Sequence, residues 1–283
     1  MNSPSIVDSH VHLWHPAQLR YAWLDGLPAL NRPFLPPDFA AAAATANVSK
    51  MIFVESGCVA AQSHAEVAWV AGLKKVEPRL KGIIAYAPLE DGTAVRAELQ
   101  ALAAEPLVKG VRRLLQSEND ADFCLQPQFL AGVKLLAEFG FTFDLCIRSN
   151  QLRSVTELVQ CVPQVTFILD HCGKPGIARG EIQPWAADLR MLAAQPNVVC
   201  KLSGLTTEAD HARWQPDDLK FYVERALEYF GFDRVLFGGD WPVSTLATTY
   251  GRWVETVQQF VASATEAERA KLFQTNAERI YHV

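Results

Sequence analysis

The sequence predicts an α/β protein that folds as one (β/α)8 barrel, a TIM barrel, over residues 1–283. Eight short β-rich runs alternate with helical segments, a pattern typical of parallel strands joined by crossover helices. Eight strands close such a barrel, and 283 residues is a usual length for one barrel domain. The chain is 49% hydrophobic, enough for a large core. An open doubly wound sheet is disfavoured because no glycine-rich phosphate-binding turn follows the first strand.

The predicted elements follow one another in a regular order. After a first strand at residues 6–11, a helix begins at Pro36-Pro37-Asp38, with Asp38 as its predicted N-cap. It continues into the alanine-rich run 40–44, which has high helix propensity. The later strands are predicted at residues 50–54, 82–87, 108–112, 142–145, 165–169, 198–201 and 234–237. The later helices are predicted at residues 61–76, 93–104, 129–139, 152–161, 185–194, 217–230, 250–262 and 266–281.

The excursion between residues 15 and 37 is too aromatic for a plain linker. It follows directly on Trp14 and contains Tyr21, Trp23 and five prolines. Long loops in compact domains usually have a function. Two interpretations stay open: an aromatic cap packed over the barrel rim, or a lid over a substrate.

Two histidines, His10 and His12, lie at the end of the first strand. Because side chains alternate between the two faces of a strand, both point to the same side, about 7 Å apart along the chain. Two imidazoles directed into one space suit a metal ion or a carbonyl oxygen that both contact.

Polar side chains also lie at the ends of the other predicted strands. In barrels of this kind the active site is built at the C-terminal ends of the strands. The strand-end residues are Glu55, Arg112, Asp144, Arg148, His171, Lys201, Ser203 and Asp240. Asp240 follows two glycines after the last strand, where a carboxylate suits a base for water. We therefore expect these groups to meet at one rim.

Asp240 and His171 also have structural interpretations. A carboxylate directly after an apolar strand is suited to cap the next turn. His171 is equally suited to be a core histidine, held by a hydrogen bond to the neighbouring Asp170.

The two cations at the strand ends are open to a similar alternative. Arg112 and Lys201 either meet the substrate or neutralise a buried carboxylate, and Glu55 is a candidate partner for one of them. Strand alternation also leaves open whether Arg112 or Arg113 points inward.

The composition argues against several classes of protein. The 26 basic and 31 acidic residues give a net charge of −5 without charge runs, unlike a nucleic-acid or polybasic membrane surface. Six cysteines without CxxC spacing predict neither a disulfide framework nor a thiolate metal site. We expect a cytoplasmic protein, because no apolar stretch reaches about 18 residues and residues 1–5 do not resemble a signal peptide. A serine hydrolase is unsupported, because the GxSxG motif is missing.

With these residues in view, the sequence resembles the amidohydrolase superfamily. More narrowly, it is similar to the metal-dependent-hydrolase-like group that contains L-fuconolactonase and related sugar lactonases. The similarity rests on six segments that run in order along nearly the whole chain. They are VDSHVHLW at 7–14, YAWL at 21–24, GVR at 110–112, LDHCGKP at 169–175, PNVVCKLSGL at 196–205 and FGGDWPV at 237–243.

The resemblance implies a metal site that this chain matches in part. In the superfamily, a metal is held by the HxH pair, a fifth-strand histidine and an eighth-strand aspartate, here His10, His12 and Asp240. The fifth strand of this chain, FDLC at 143–146, has no histidine. The resemblance therefore implies one divalent metal such as zinc, weakly held, or no metal at all.

The resemblance also implies a reaction: the hydrolysis of a small sugar-acid lactone, a small-molecule partner. Asp240 takes a proton from the attacking water. His10, His12 and His171 stabilise the charge on the carbonyl oxygen, or a metal held by His10 and His12 polarises that oxygen instead. The predicted substrate-binding residues are Arg112, Lys201, Trp23, Trp241 and Glu55.

Three alternatives accompany this prediction. A pyrone-dicarboxylate lactonase requires more inward arginines than the sequence offers. A metal-dependent decarboxylase requires firmly bound zinc, which the fifth strand does not favour. A sugar-acid binding protein without catalysis is disfavoured by the convergence of Asp240 with three histidines. The sequence leaves open the sugar, the ring size and the oligomeric state.

Overall fold

The computed structural model describes residues 4–283 and contains an eight-stranded parallel sheet. Each strand pairs with the next one along the chain, in the order β1 to β8. The strands are β1 (Ile6–Val11), β2 (Val48–Val54), β3 (Leu80–Ala85), β4 (Val108–Arg112), β5 (Thr142–Leu145), β6 (Phe167–Leu169), β7 (Val198–Leu202) and β8 (Val235–Phe237). The predicted (β/α)8 barrel is confirmed.

The sheet closes where the ends of β1 and β8 meet. Val11 forms a parallel bridge with Trp241. The Asp240 N–H donates to the His10 carbonyl at 2.8 Å, and the His12 N–H donates to the Trp241 carbonyl at 2.7 Å. Closure of the barrel therefore brings the HxH pair next to Asp240, although more than two hundred residues separate them in the chain.

Ten α-helices occur within residues 4–283. They are α1 (Pro36–Ala42), α2 (Ser63–Leu73), α3 (Arg96–Ala103), α4 (Pro127–Phe139), α5 (Leu152–Cys161), α6 (Trp185–Ala193), α7 (Pro216–Phe230), α8 (Tyr250–Phe260), α9 (Glu266–Ala270) and α10 (Asn276–Tyr281). Across that range, none combines the length and apolar character that a membrane span requires.

The start of α1 differs from the prediction. Leu35, and not Asp38, occupies the N-cap position. Asp38 lies in the first turn, where its carboxylate accepts a hydrogen bond from the Leu35 N–H at 2.9 Å. The predicted N-cap at Asp38 is wrong, because the two prolines extend the helix one turn towards the N-terminus.

The helix predicted at 266–281 is interrupted. A π-helical turn, Lys271–Thr275, separates α9 from α10. The Asn276 side chain donates to the carbonyl oxygens of Phe232 at 2.7 Å and Val235 at 2.9 Å. These contacts attach α10 to the start of β8, so packing against the barrel accompanies the break.

Two apolar clusters occur among residues 4–283. The larger one lies between the strands and the surrounding helices. The smaller one contains Val7, Ile52, Val54, Ile84, Ile168, Val199 and Leu236 from six strands, with Ala277, Ile280 and Tyr281 from α10. Side chains from strands on opposite sides of a barrel meet only in its interior. Helix α10 therefore closes the N-terminal end of the barrel, and polar groups concentrate at the other end.

The excursion between residues 15 and 37 has the contacts of the first predicted interpretation, an aromatic cap over the rim. Phe34 pairs with Trp14 in an isolated bridge, and their rings are 5.2 Å apart. The Trp14 indole N–H also donates to the carbonyl oxygen of Arg32 at 2.9 Å. The segment is thus an aromatic cap, yet Ala22 and Trp23 within it line the cavity described below.

Candidate active site

A cavity of about 450 Å³ opens at the C-terminal ends of the strands. It is lined by His12, Ala22, Trp23, Ser56, Gly57, Arg112, Leu114, Gln116, Ser117, Cys146, His171, Lys174, Thr207, Asp240 and Val243. Five of the predicted site residues, His12, Trp23, Arg112, His171 and Asp240, therefore reach one space. Of the strand-end groups, His12, Arg112, His171 and Asp240 line the cavity, whereas Glu55, Asp144, Arg148, Lys201 and Ser203 are not among its lining residues.

Three electron-pair donors converge at the floor of this cavity. The Nε2 atoms of His10 and His12 are 3.1 Å apart. Asp240 Oδ1 lies 3.7 Å from His10 Nε2 and 3.6 Å from His12 Nε2. All three residues are buried.

The outer nitrogens of the two imidazoles face acceptors. His12 Nδ1–H donates to the Val54 carbonyl at 2.8 Å, and His10 Nδ1 lies 3.2 Å from Asp170 Oδ1. Both Nε2 atoms therefore carry lone pairs and face each other and Asp240. Two lone pairs and a carboxylate oxygen this close together repel one another unless a positive charge lies nearby. Arg112 Nη1, 3.4 Å from His10 Nε2, supplies only part of that positive charge.

This donor set fits a divalent cation. The ligand atoms of a tetrahedral zinc site are about 3.3–3.6 Å apart, close to the separations of His10, His12 and Asp240. An imidazole that ligates a metal typically donates its other N–H to a carbonyl or carboxylate, and here His12 Nδ1 binds the Val54 carbonyl while His10 Nδ1 faces the Asp170 carboxylate. His10, Asp170 and His171 form a second close group. The candidate metal ligands are thus His10, His12 and Asp240.

Two glycines are required where the chain brings Asp240 to the floor. A Cβ atom on Gly239 would lie 2.4 Å from the Tyr250 ring and 2.5 Å from Asp8 Oδ2. A Cβ atom on Gly238 would lie 2.8 Å from the His10 Cβ. Asp240 itself has φ of 51°, a left-handed conformation that costs energy outside glycine.

The surroundings of Asp240 keep it ionised. Burial raises the pKa of the carboxyl, but the neighbouring imidazoles, His171 first and then His12 and His10, outweigh burial and hold the net pKa well below the usual range. Asp240 is therefore a carboxylate near neutral pH, as an acceptor of a proton from water must be.

His171 lies in a strained loop directly after β6. His171, Cys172 and Lys174 all have positive φ, between 50° and 54°. The His171 ring is placed by Ser203, whose Oγ is 2.8 Å from Nδ1, and by Gly204, where a Cβ would lie 2.4 Å from Nδ1. Burial lowers the pKa of His171 to about 4, so its imidazole is neutral at pH 7.

Arg112 points inward, which answers the question that strand alternation left open. Its Nε donates to Glu55 Oε1 at 2.7 Å, and its Nη1 lies 3.3 Å from Asp170 Oδ2. Arg113 points away and pairs with Glu90 and Glu118. Arg112 therefore borders the cavity while it neutralises buried carboxylates.

Lys201 lies beneath the floor, with its side chain fully buried. Its ammonium is ion-paired with Asp144, and with Asp170 at 3.0 Å. Its Nζ is also 3.3 Å from His10 Nδ1, slightly farther than the Asp170 oxygen. These contacts agree with the second interpretation of Lys201 given above, in which it neutralises buried carboxylates and does not meet the substrate.

The remaining predicted binding residues differ in exposure. Trp23 is 36% exposed, lines the cavity and donates its indole N–H to the Ser56 carbonyl at 2.8 Å. Trp241 is buried, with its ring packed against Phe34 at 5.5 Å. Glu55 is buried behind the wall and bound to Arg112.

Sequence reasoning missed two residues. Asp170 was considered as a partner of His171, but its carboxylate contacts His10, Lys201 and Arg112. Lys174 lines the cavity, and in the sequence it is marked only by its place in the LDHCGKP segment. The only signal for either was its position in the turn after β6.

The fold and the site together are those of a hydrolase built on a (β/α)8 barrel. The chain belongs to the amidohydrolase family, whose model matches residues 7–283. This confirms the resemblance on which the sequence analysis relied.

Curated relatives cover nearly the full chain. An L-fucono-1,5-lactonase of Burkholderia multivorans is 33% identical over 97% of this chain and 95% of its own. Another L-fucono-1,5-lactonase, of Burkholderia ambifaria, is 29% identical over 98% of this chain and 95% of its own. A crystal structure of an amidohydrolase from Burkholderia multivorans with bound zinc is 30% identical, covers both chains fully and superposes with a TM-score of 0.88.

Proposed function

We propose that the protein hydrolyses a small, uncharged sugar-acid lactone. The observation that carries the proposal is the convergence of the Asp240 carboxylate with His10, His12 and His171 at the floor of one cavity. The relatives named L-fucono-1,5-lactonase support the same substrate class.

Asp240 acts as the general base. Its ionised carboxylate takes a proton from a water molecule as that water attacks the lactone carbonyl. The protonated Asp240 then returns the proton to the ring oxygen as the C–O bond breaks. The product is an open-chain hydroxy acid.

His171 and Arg112 stabilise the oxygen on which negative charge develops. Ser203 Oγ lies 2.8 Å from His171 Nδ1, and this role uses the tautomer in which the hydroxyl donates to Nδ1 and His171 carries its hydrogen on Nε2. Preorganised donors at such an oxygen contribute about 3 kcal/mol each. His10 and His12, which the sequence suggested as hydrogen-bond donors to this oxygen, do not have that role in the proposal, because their Nε2 atoms carry lone pairs. These two residues and Asp240 would instead hold a divalent cation, which when bound polarises the carbonyl.

The charges around the floor favour an uncharged substrate. Arg112 and Lys201 face three buried carboxylates, Glu55, Asp144 and Asp170. Both cations are therefore neutralised within the protein. A dianionic pyrone dicarboxylate requires uncompensated cations. Arg112 and Lys201 supply none, and Lys174, which also lines the cavity, offers a single charge with the Glu208 carboxylate 4.0 Å away.

Three of the predicted binding residues take other roles in this proposal. Lys201 and Glu55 are positioning residues that hold His10 and Arg112, and Trp241 supports the aromatic cap. Trp23 keeps its predicted role, with its indole against the C–H face of the sugar.

A panel of aldono-1,4- and aldono-1,5-lactones, assayed by a pH indicator with and without chelator, tests the proposal. We expect turnover by the wild-type protein and a fall in kcat of about 10²- to 10⁴-fold in Asp240→Asn with unfolding temperature retained. Asp217→Asn, an exposed carboxylate on α7, serves as the control and should match the wild type. Wild-type rates in Asp240→Asn contradict the base assignment, and tight binding without turnover indicates a binding protein.

A further inference from the structure

We propose that Lys174 binds the hydroxyl-bearing edge of the lactone and so selects polyhydroxylated rings over unsubstituted ones. This inference rests on the proposed function, and it identifies the part of the cavity wall that recognises the substrate. Lys174 is a cation at the cavity that is not paired with the buried carboxylates Glu55, Asp144 and Asp170.

The backbone holds Lys174 at a fixed place relative to the floor. Its N–H donates to the His171 carbonyl at 2.9 Å, within the loop whose residues adopt positive φ. The side chain is 19% exposed and lines the cavity. The ammonium therefore reaches the same space as Asp240.

The ammonium has donors left for a ligand. Lys174 Nζ donates to Gln116 Oε1 at 2.5 Å, and the carboxylate of Glu208 lies at 4.0 Å. A lysine ammonium carries three N–H donors, and these contacts occupy at most part of them. By contrast, Arg112 and Lys201 are each paired with two carboxylates.

Two neighbouring side chains complete a subsite for hydroxyl groups. The oxygen of the Gln116 carboxamide accepts from Lys174, which leaves the Nε2 hydrogens to donate. Thr207 Oγ1 donates to the Gly204 carbonyl at 2.8 Å, which leaves its lone pairs to accept. A hydroxyl group both donates and accepts hydrogen bonds. Adjacent ring hydroxyls can therefore pair with Lys174, Gln116 and Thr207, whereas a ring of methylene groups leaves these side chains without hydrogen-bond partners.

The test compares two substrates in wild type, Lys174→Met and Lys174→Arg. The substrates are an aldono-1,5-lactone and δ-valerolactone, which has the same ring without hydroxyls. We expect Lys174→Met to raise KM for the aldonolactone by about 10- to 100-fold, the value of a charged hydrogen bond. We expect no change for δ-valerolactone and partial recovery in Lys174→Arg. Methionine preserves the length of the side chain and the strain of the backbone.

A second measurement separates this inference from the proposed function. Binding of an aldono-1,5-lactam and of δ-valerolactam, measured by calorimetry, requires no turnover. Loss of affinity for the aldonolactam alone in Lys174→Met supports the subsite even if no lactone is opened, in which case only the proposed function fails. Equal losses for both lactams, or no loss for either, overturn the subsite.

Two control variants exclude structural causes. Glu208→Gln tests whether Lys174 serves only to pair with that carboxylate, and we expect effects within about fivefold, because the two groups lie 4.0 Å apart and form only a weak pair. Lys75→Met removes an exposed cation after α2 and should match the wild type. Selective loss of the aldonolactone in Glu208→Gln, equal to that in Lys174→Met, overturns the proposal.

Discussion

His10 Nδ1 lies 3.2 Å from Asp170 Oδ1, and this contact ties the end of β1 to the end of β6. The carboxylate fixes the imidazole so that Nε2 faces His12 and Asp240. Asp170 in turn contacts Lys201 at 3.0 Å. The buried charges thus orient a group at the cavity floor, although Lys201 does not itself reach the cavity.

Asp170→Asn should weaken zinc binding by about 10- to 100-fold, as loss of a carboxylate behind a metal-ligating histidine typically does. The matched control is Asp144→Asn, which also loses a buried partner of Lys201. Competition with a fluorescent chelator measures both affinities. Equal weakening in the two variants would show that the charge network, rather than the orientation of His10, controls affinity.

Zinc in excess over the protein should raise the unfolding temperature of the wild type, because a ligand that binds only the folded state stabilises it. At free zinc about 100 times Kd, the stabilisation is about 2.7 kcal/mol. His12→Gln removes one of the three candidate ligands and should abolish most of the rise, whereas the exposed His64→Gln should retain it. A full rise in His12→Gln would contradict the ligand assignment. Differential scanning calorimetry with and without zinc provides the comparison.

Lys201→Met should lower the free energy of unfolding by about 3–5 kcal/mol, since it leaves Asp144 and Asp170 buried without their shared cation. Urea unfolding measures the change. The double variant Lys201→Met with Asp144→Leu should recover part of the loss, because one uncompensated carboxyl is removed. Lys75→Met, on the surface, should change stability by about 0.5 kcal/mol or less. A Lys201→Met protein as stable as this control would contradict the prediction.

Glu66→Gln should stabilise the protein increasingly between about pH 5 and pH 8. Burial, with the nearby charge of Glu55, raises the pKa of Glu66 to about 8, although the Ser56 N–H lowers it in part. Within that window the unfolded chain has released a proton that the folded protein retains. Folded-state stability therefore falls as pH rises, by about 1.4 kcal/mol per unit.

Chemical unfolding at pH 5, 7 and 8 checks this dependence on Glu66. The glutamine variant lacks the titrating proton, so its advantage over the wild type should grow across the three values. Glu157→Gln, on the exposed side of α5, is the control. A constant difference between Glu66→Gln and the wild type would contradict the raised pKa.

Much of the architecture follows from local patterns. The bounds of β1, β4, β5 and α5 match the prediction residue by residue, because apolar runs and turns alone mark these elements. The strand-end rule also placed the candidate metal ligands and His171 correctly at the floor. Period-two alternation put His10 and His12 on one side, where their Nε2 atoms are 3.1 Å apart.

Other features required the tertiary structure. Arg112 and Arg113 are neighbours in the sequence, and only the closed barrel decides that the first faces the buried Glu55, 57 residues away. The strand pattern also could not show that Asp170 contacts His10 rather than His171. The physical reason is that ion pairs depend on the register between distant strands and on burial, whereas hydrophobic periodicity depends on neighbours along the chain. The sequence by itself therefore determined the barrel and the residues at its rim, and the tertiary structure decided which charges neutralise one another and which remain at the cavity.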